Sequence, residues 1–417
     1  MFDFAKRKIC ANQLTSMMKG IAALAPTVLL TLMFTSCMTD GYTDTAAGKS
    51  DTYINLNVST PTAQARANAP AGSTGTNGTP GTDETNPSPD TEEKITSIRV
   101  WAFKSGTDEN AMPIGFKAET GLSATGSHNV SMKLLRKAAG NLENIDLYIL
   151  LNAESIGVLN GSDCNTMTRK ALKAATFDSN FGINTDGSAQ ATTVPDAGLP
   201  ISRVITYINV KNNIADNAAA AAANPVSVPL VRAVSKLHFF FARKTGKDTE
   251  SVTVTKIEVN GETLTAASPV FPEETTDANK DNNGLKGSST GLTYLNKNLI
   301  FGAIATEKIN PVDDPEAYKR NPGEKAQDYM TRLSNDVQEG CRSYLRETDK
   351  PITGTIYFKS NASLAERWVE FKIPKAYRNH ELVVYGWFSG EALLDNFKLQ
   401  YYVADWNEKG ATDITFN

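Results

Sequence analysis

Cys37 closes the tract LMFTSC, with the small residues Thr35 and Ser36 directly before it. Lys6, Arg7, Lys8 and Lys19 supply positive charge upstream, and residues 21–34 form an apolar stretch. A thiol in this setting reads as a lipobox cysteine, acylated by diacylglyceryl transfer and left as the first residue after cleavage. Phe34 stands where a leucine is usual, and a start at Met17 or Met18 would give a leader of ordinary length. At about 0.8 kcal/mol per buried methylene, two or three acyl chains hold a protein on a membrane almost irreversibly. A protein meant to leave that membrane must be cut free.

The remaining reactive side chains are sparse. Cys164 and Cys341 are far apart and lack a neighbouring Cys or His at ligand spacing, so a zinc site is unsupported. A disulfide between them is chemically open in an oxidising compartment, but two buried thiols are the simpler expectation. Nucleophilic hydrolysis needs a base, and only His128, His238 and His380 carry an imidazole. His238 sits inside LHFFF, a packed-strand context, and the other two lead strands. No HExxH, GxSxG or Walker pattern occurs, and the pairs Glu273-Glu274 and Asp313-Asp314 lie in polar, Pro-bearing loops. The reading is a non-enzyme with no cofactor and no metal. A net charge of -4 offers no basic field for nucleic acid.

What positions these residues is a chain of strands. In TYINLNVS (52–59), Ile54, Leu56 and Val58 alternate with polar residues, the period-2 signature of a half-buried strand. From Thr60 to Lys94 the composition turns to Gly, Pro, Thr, Ser, Asn and Ala, which predicts a flexible linker; Arg66 is its one basic residue before Lys94. Strand signals resume at 95–103, 128–135, 144–153 and 202–210, with a short helix at 167–177. The Ala-rich 215–225 reads as a connector between domains. A second strand-rich block covers 226–244, 251–261, 353–359, 367–374, 380–388 and 397–406, with a helix at 324–338 whose stripe is Ala326, Met330, Leu333 and Val337. Short strands with few helices predict a mainly β chain of two β-sandwich domains. The expected divisions are a leader at 1–36, tether, first strand and linker at 37–94, one domain at 95–225 and another at 226–417.

The order of the parts resembles the fimbrillin family, the type V pilins of Bacteroidales. The resemblance rests on FTSC before the mature chain, TYINLNVS, VWAF (100–103), LYILLNA (147–153), LPISR (199–203), VPLVRAVSKLHFF (228–240) and YYVADWNEKGATDITF (401–416). It implies two transthyretin-like β-sandwiches and an outer-membrane lipoprotein precursor. It further implies a trypsin-like protease that cuts after an Arg behind the first strand, and polymerisation by donor-strand exchange into a surface fimbrium that supports adhesion. Carried onto this chain, Thr52–Ser59 is the expendable strand, and the cut falls between Arg66 and Ala67. The partners implied are other copies, other fimbrial subunits, the protease and, before processing, the membrane.

Removing that strand would vacate the positions of Ile54, Leu56 and Val58. The C-terminus offers Ile414 and Phe416 as replacements, with Tyr401 and Val403 or Tyr402 and Ala404 upstream. Two further readings stay open. One is a tip or anchor subunit of the same family. The other is a surface lipoprotein that binds glycan through exposed aromatics, with Trp101, Trp368, Trp387 and Trp406 as candidates.

Overall fold

The computed structural model describes residues 52–60, 92–135, 143–161, 163–177, 194–245, 251–260, 266–267, 269–271, 286–288, 299–301, 309, 311–324, 326–345, 347, 350–360, 363–373, 378–388, 397–405 and 412–415. The chain divides into two units, Met1–Thr45 and Ala46–Asn417. The first lies outside the described residues, so the fold is that of the second.

Nine strands build the first sandwich: β1 (Thr52–Ser59), β2 (Lys94–Lys104), β3 (Gly115–Thr125), β4 (Ser127–Leu134), β5 (Asn144–Leu151), β6 (Ile201–Asn209), β7 (Ile214–Ala215), β8 (Val226–Pro229) and β9 (Val231–Arg232). One sheet runs β4-β1-β7 with β8 also on β1, and the other runs β3-β2-β5-β6-β9. Between them lies a core of Ile54, Leu56 and Val58 with Val100, Val130, Leu147, Ile149 and Val228. VWAF and LYILL are apolar at every position because their sheet is covered on both faces. Val100 and Ala102 point to this core, while Trp101, Phe103, Tyr148 and Leu150 join a second cluster with Leu172 and Phe271. Leu172 comes from the short helix α1 (Arg169–Ala174), whose N-cap Thr168 accepts from the Ala171 N–H.

The second sandwich repeats the arrangement with β10 (Ser235–Lys244), β11 (Val252–Val259), the short β12 (Ala266–Ala267), β13 (Lys286–Ser288), β14 (Leu299–Phe301) and β15 (Pro311–Val312), then β16 (Gln338–Leu345), β17 (Ile352–Ser360), β18 (Ser363–Ile373), β19 (His380–Phe388), β20 (Phe397–Asp405) and β21 (Thr412–Thr415). Its sheets run β15-β10-β19-β20-β21, with β16 on β10, and β14-β11-β17-β18; β12 and β13 pair with each other. LHFFF is read by parity: Leu237, Phe239 and Phe241 enter the core between the sheets, and Phe240 packs outward beneath a helix. That helix is α3 (Ala326–Asp336). Its inward contacts are Tyr329, Leu333 and the following Val337, with Met330 only half-buried, so Tyr329 takes the place expected of Met330.

Among the described residues the chain is therefore mostly β, with three short α-helices. Two expectations change. The Ala-rich stretch is not a connector: it forms α2 (Ala218–Ala222), capped by Asn217, and packs against β1 and β4. The crossing between halves comes after Arg232, not at 225, because β8 pairs with β1 and β9 with β6. Pro229 and the Ser-Val alternation of 226–229 suit a short bordering strand better than the start of a long one.

Candidate functional site

β1 is an internal strand. It pairs antiparallel with β4 along all eight residues, from Thr52 opposite Leu134 to Ser59 opposite Ser127. Its other edge carries β7 at Tyr53 and Ile54, antiparallel, and β8 from Leu56 to Ser59, parallel. Ile54, Leu56 and Val58 are each 0 % exposed. At about 1.5–3 kcal/mol per buried aliphatic chain they contribute roughly 5–9 kcal/mol, comparable with the about 5–15 kcal/mol that stabilises a whole domain. The expected half-buried strand is more enclosed than its alternation suggests, because α2 lies over its outer face; Asn55 is buried, and the Asn57 amide donates to Asn129 Oδ1 at 2.8 Å.

Both ends of the connection from β1 to β2 are anchored. The Thr60 N–H donates to the Gly126 carbonyl, and the Gly126 N–H donates to Glu93 O. Lys94 begins β2 opposite Thr125, and its ammonium donates to Asp196 O at 2.7 Å. Asn152 holds the same corner in the left-handed region (φ 56): its amide donates to Lys94 O and Leu199 O, while its Oδ1 accepts from Thr96. Glu92 enters a buried polar chain. Its carboxylate sits 3.0 Å from Lys236 Nζ and accepts from Tyr344 Oη at 2.6 Å. Lys236 also faces Glu381, Glu381 bonds His238, and His238 bonds Glu339 at 2.9 Å. Burial pushes the Glu381 carboxyl up, but Lys236 and His238 outweigh it and hold it down at about 2.

The C-terminal strand β21 folds back on β20, with Tyr401 opposite Ile414 and Val403 opposite Thr412. β20 is also bonded to β19 along its whole length, so Tyr401 and Val403 belong to a strand held on both edges. Ile414 belongs to a four-residue strand that, among the described residues, is held on one. Cys37, Arg66, Ala67 and Phe416 lie outside the described residues.

Among the described residues the histidines bond to carboxylates and a backbone carbonyl. His238 is 3 % exposed between two carboxylates, His128 pairs with Glu119 at 2.9 Å, and His380 Nδ1 donates to the Arg378 carbonyl. Cys164 and Cys341 are separate buried free thiols, each with its pKa raised by burial. Of the four tryptophans, Trp101 and Trp387 are buried, Trp368 is exposed, and Trp406 lies outside the described residues. The polar chain through Glu92 and β16 was missed in sequence; the alternation of Lys236 and His238 with Leu237 and Phe239 was its signal.

Solved structures that resemble this chain include fimbrial proteins and proteins described as putative cell adhesion proteins. The tip fimbrial protein Mfa3 from Porphyromonas gingivalis, with C-terminal truncation, matches at 12% identity and TM-score 0.43, covering 85% of this chain and 100% of its own. A fimbrial assembly protein from Parabacteroides distasonis matches at 12% identity and TM-score 0.39, covering 88% and 100%. A fimbrilin from P. gingivalis matches at 9% identity and TM-score 0.36, covering 76% and 92%. No family model and no curated protein matches the sequence. The likeness is distant, and nothing about assembly follows from it.

Proposed function

We infer that this chain is a structural subunit of a surface fimbria, delivered as a lipoprotein through Cys37, cut between Arg66 and Ala67, and polymerised by strand exchange. The observation that carries the reading is the placement of β1. It is a central strand, attached to the rest of the chain on its C-terminal side only through the connection 61–91, and it fills a slot with neighbours on both edges. A cut in that connection makes β1 a separate piece together with the lipid. Loss of β1 opens two strand edges and three apolar sites at once, which an extended strand from another copy satisfies.

Arg66 is favoured over Lys94 on physical grounds. A protease needs an extended substrate free of sheet pairing, and the Lys94 backbone is paired within β2 while its side chain is engaged. The donor is the C-terminal end, where β21, among the described residues, pairs along one edge alone. Such a contact is head-to-tail and does not close, so it builds a fibre that carries adhesion outward. The same placement argues for a shaft subunit over an anchor, which would keep its lipid, and over a tip, which would not need a donor end.

The test is the N-terminus of the protein in purified surface fibres. A start at Ala67 in an SDS-resistant ladder supports the reading, and lipidated Cys37 found only in membrane-bound monomers overturns it.

A further inference from the structure

Trp368 is 62 % exposed on the outer face of β18. The parity of the strand explains the direction. Val369, Phe371 and Ile373 face the core, so Glu366, Trp368 and Glu370 share the opposite face. Trp368 lies directly opposite Tyr357 of β17, which lies opposite Lys256 of β11, so the three form a row across the sheet. The Tyr357 end of this row is fixed. Lys256 Nζ lies 3.9 Å from the Tyr357 ring centre and 3.1 Å from Glu258, which also accepts from Tyr357 Oη at 2.8 Å. Glu366 is fixed as well, accepting from Thr255 Oγ1 at 2.5 Å. The indole itself has no hydrogen-bond or ring partner among the described residues.

We propose that Trp368, backed by Tyr357 and flanked by Glu366 and Glu370, is a stacking platform for a neutral glycan. A pyranose ring offers a face of C–H groups and a rim of hydroxyls. The open indole face, negative at its centre, receives the former. Glu366 and Glu370, each two residues along the same strand face and so about 7 Å away, accept from the latter. The charge pattern selects against acidic sugars. The neighbours of Trp368 on its own strand face are carboxylates, and Lys256 is already committed to Glu258 and the Tyr357 ring; Lys359 lies diagonally across on β17, Arg367 beside Trp368 in sequence and Lys372 two residues beyond Glu370. Two copies pressed face to face through this patch would bring Glu366 and Glu370 against their own equivalents, which disfavours self-docking. This site is independent of the β1 slot, which lies in the other sandwich.

The test is an NMR titration of the indole N–H signals of the purified full-length chain with cellohexaose and chitohexaose, using a tri-galacturonate as the acidic probe. One neutral hexasaccharide is expected to move the signal that Trp368→Ala deletes while leaving those of Trp101 and Trp387 in place. Apparent affinity should fall at least tenfold in Trp368→Ala and recover in part in Trp368→Tyr, with unchanged thermal melting in both. Glu370→Gln should narrow the gap between neutral and acidic sugars. Silence towards both neutral probes, binding unaffected by Trp368→Ala, or equal binding of the acidic probe overturns the proposal. So does a Trp368 signal that moves with protein concentration alone, which would make the patch a contact between subunits.

Discussion

Leu56 lies opposite Val130 of β4 in antiparallel register and opposite Val226 of β8 in parallel register. One strand thus separates two neighbours that run in opposite directions, and its removal leaves unpaired backbone on both sides. A replacement must satisfy a ladder of each kind while placing apolar side chains at the positions of Ile54, Leu56 and Val58. This requirement ties processing to assembly.

Leu56→Ala should therefore destabilise the uncut chain by about 2–5 kcal/mol and leave the cut, assembled subunit unaffected, since β1 is then gone. Val130→Ala should weaken both forms. Urea unfolding of precursor and fibre compares them; equal losses from Leu56→Ala in both forms would show that β1 stays in place.

Arg66→Ala should trap lipidated precursor in the envelope, whereas Lys94→Ala should leave processing intact. Mass spectrometry of the envelope fraction reads this directly. Processing that stops with Lys94→Ala instead would relocate the cut to the start of β2.

Acid should loosen the seam between linker and second sandwich. The Glu381 carboxyl lies at about 2, below its ordinary 4.5. A depressed pKa contributes stability that is complete above 4.5 and is lost as the pH falls towards 2. For a buried group the contribution is on the order of 3 kcal/mol. Stability measured in urea should drop between about pH 5 and pH 2, and Glu381→Gln should flatten that drop while lowering stability at pH 7, where Lys236 loses a partner.

Tyr207 is held at φ 56 with its side chain 67 % exposed, its N–H bonded to Asp146 Oδ1 at 2.9 Å. A non-glycine residue in the left-handed region costs roughly 1–2 kcal/mol. Tyr207→Gly should raise the melting temperature and Tyr207→Val should lower it, as differential scanning calorimetry would record.

Much of the strand order was legible because the apolar periods are strong. The alternation in 52–59 and 367–374 placed Ile54, Leu56, Val58, Phe371 and Ile373 inward, as found. What escaped has a common cause, since cover from a second layer does not leave a period in the covered strand. β3 (GFKAETGLSAT) is a half-buried strand with few apolar residues and no clear alternation, so its pairing with β2 is invisible locally. β16 (QEGCRSYL) hides its role because the half-buried Glu339 pairs with Arg342 of its own strand and with His238 of another. The crossing after Arg232 was misplaced because VPLVRAVSKLHFF reads as one run, although Val228 and Leu230 serve one core and Leu237 and Phe239 another. The inward side chains of β1 were foreseen from their alternation, but its parallel neighbour β8 lies about 170 residues away and only folding reveals it.

The central claim is that the C-terminal strand of one copy fills the β1 slot of another, and a two-component mixture tests it most directly. One component is a chain ending at Ala411 and cut after Arg66, which has an open slot and no donor strand. The other carries Arg66→Ala and an intact C-terminus, so it has a donor and a filled slot. Native mass spectrometry should find each alone as a monomer and the mixture as a 1:1 dimer that grows no further. A mixture that stays monomeric, or a truncated component that polymerises by itself, would contradict the account.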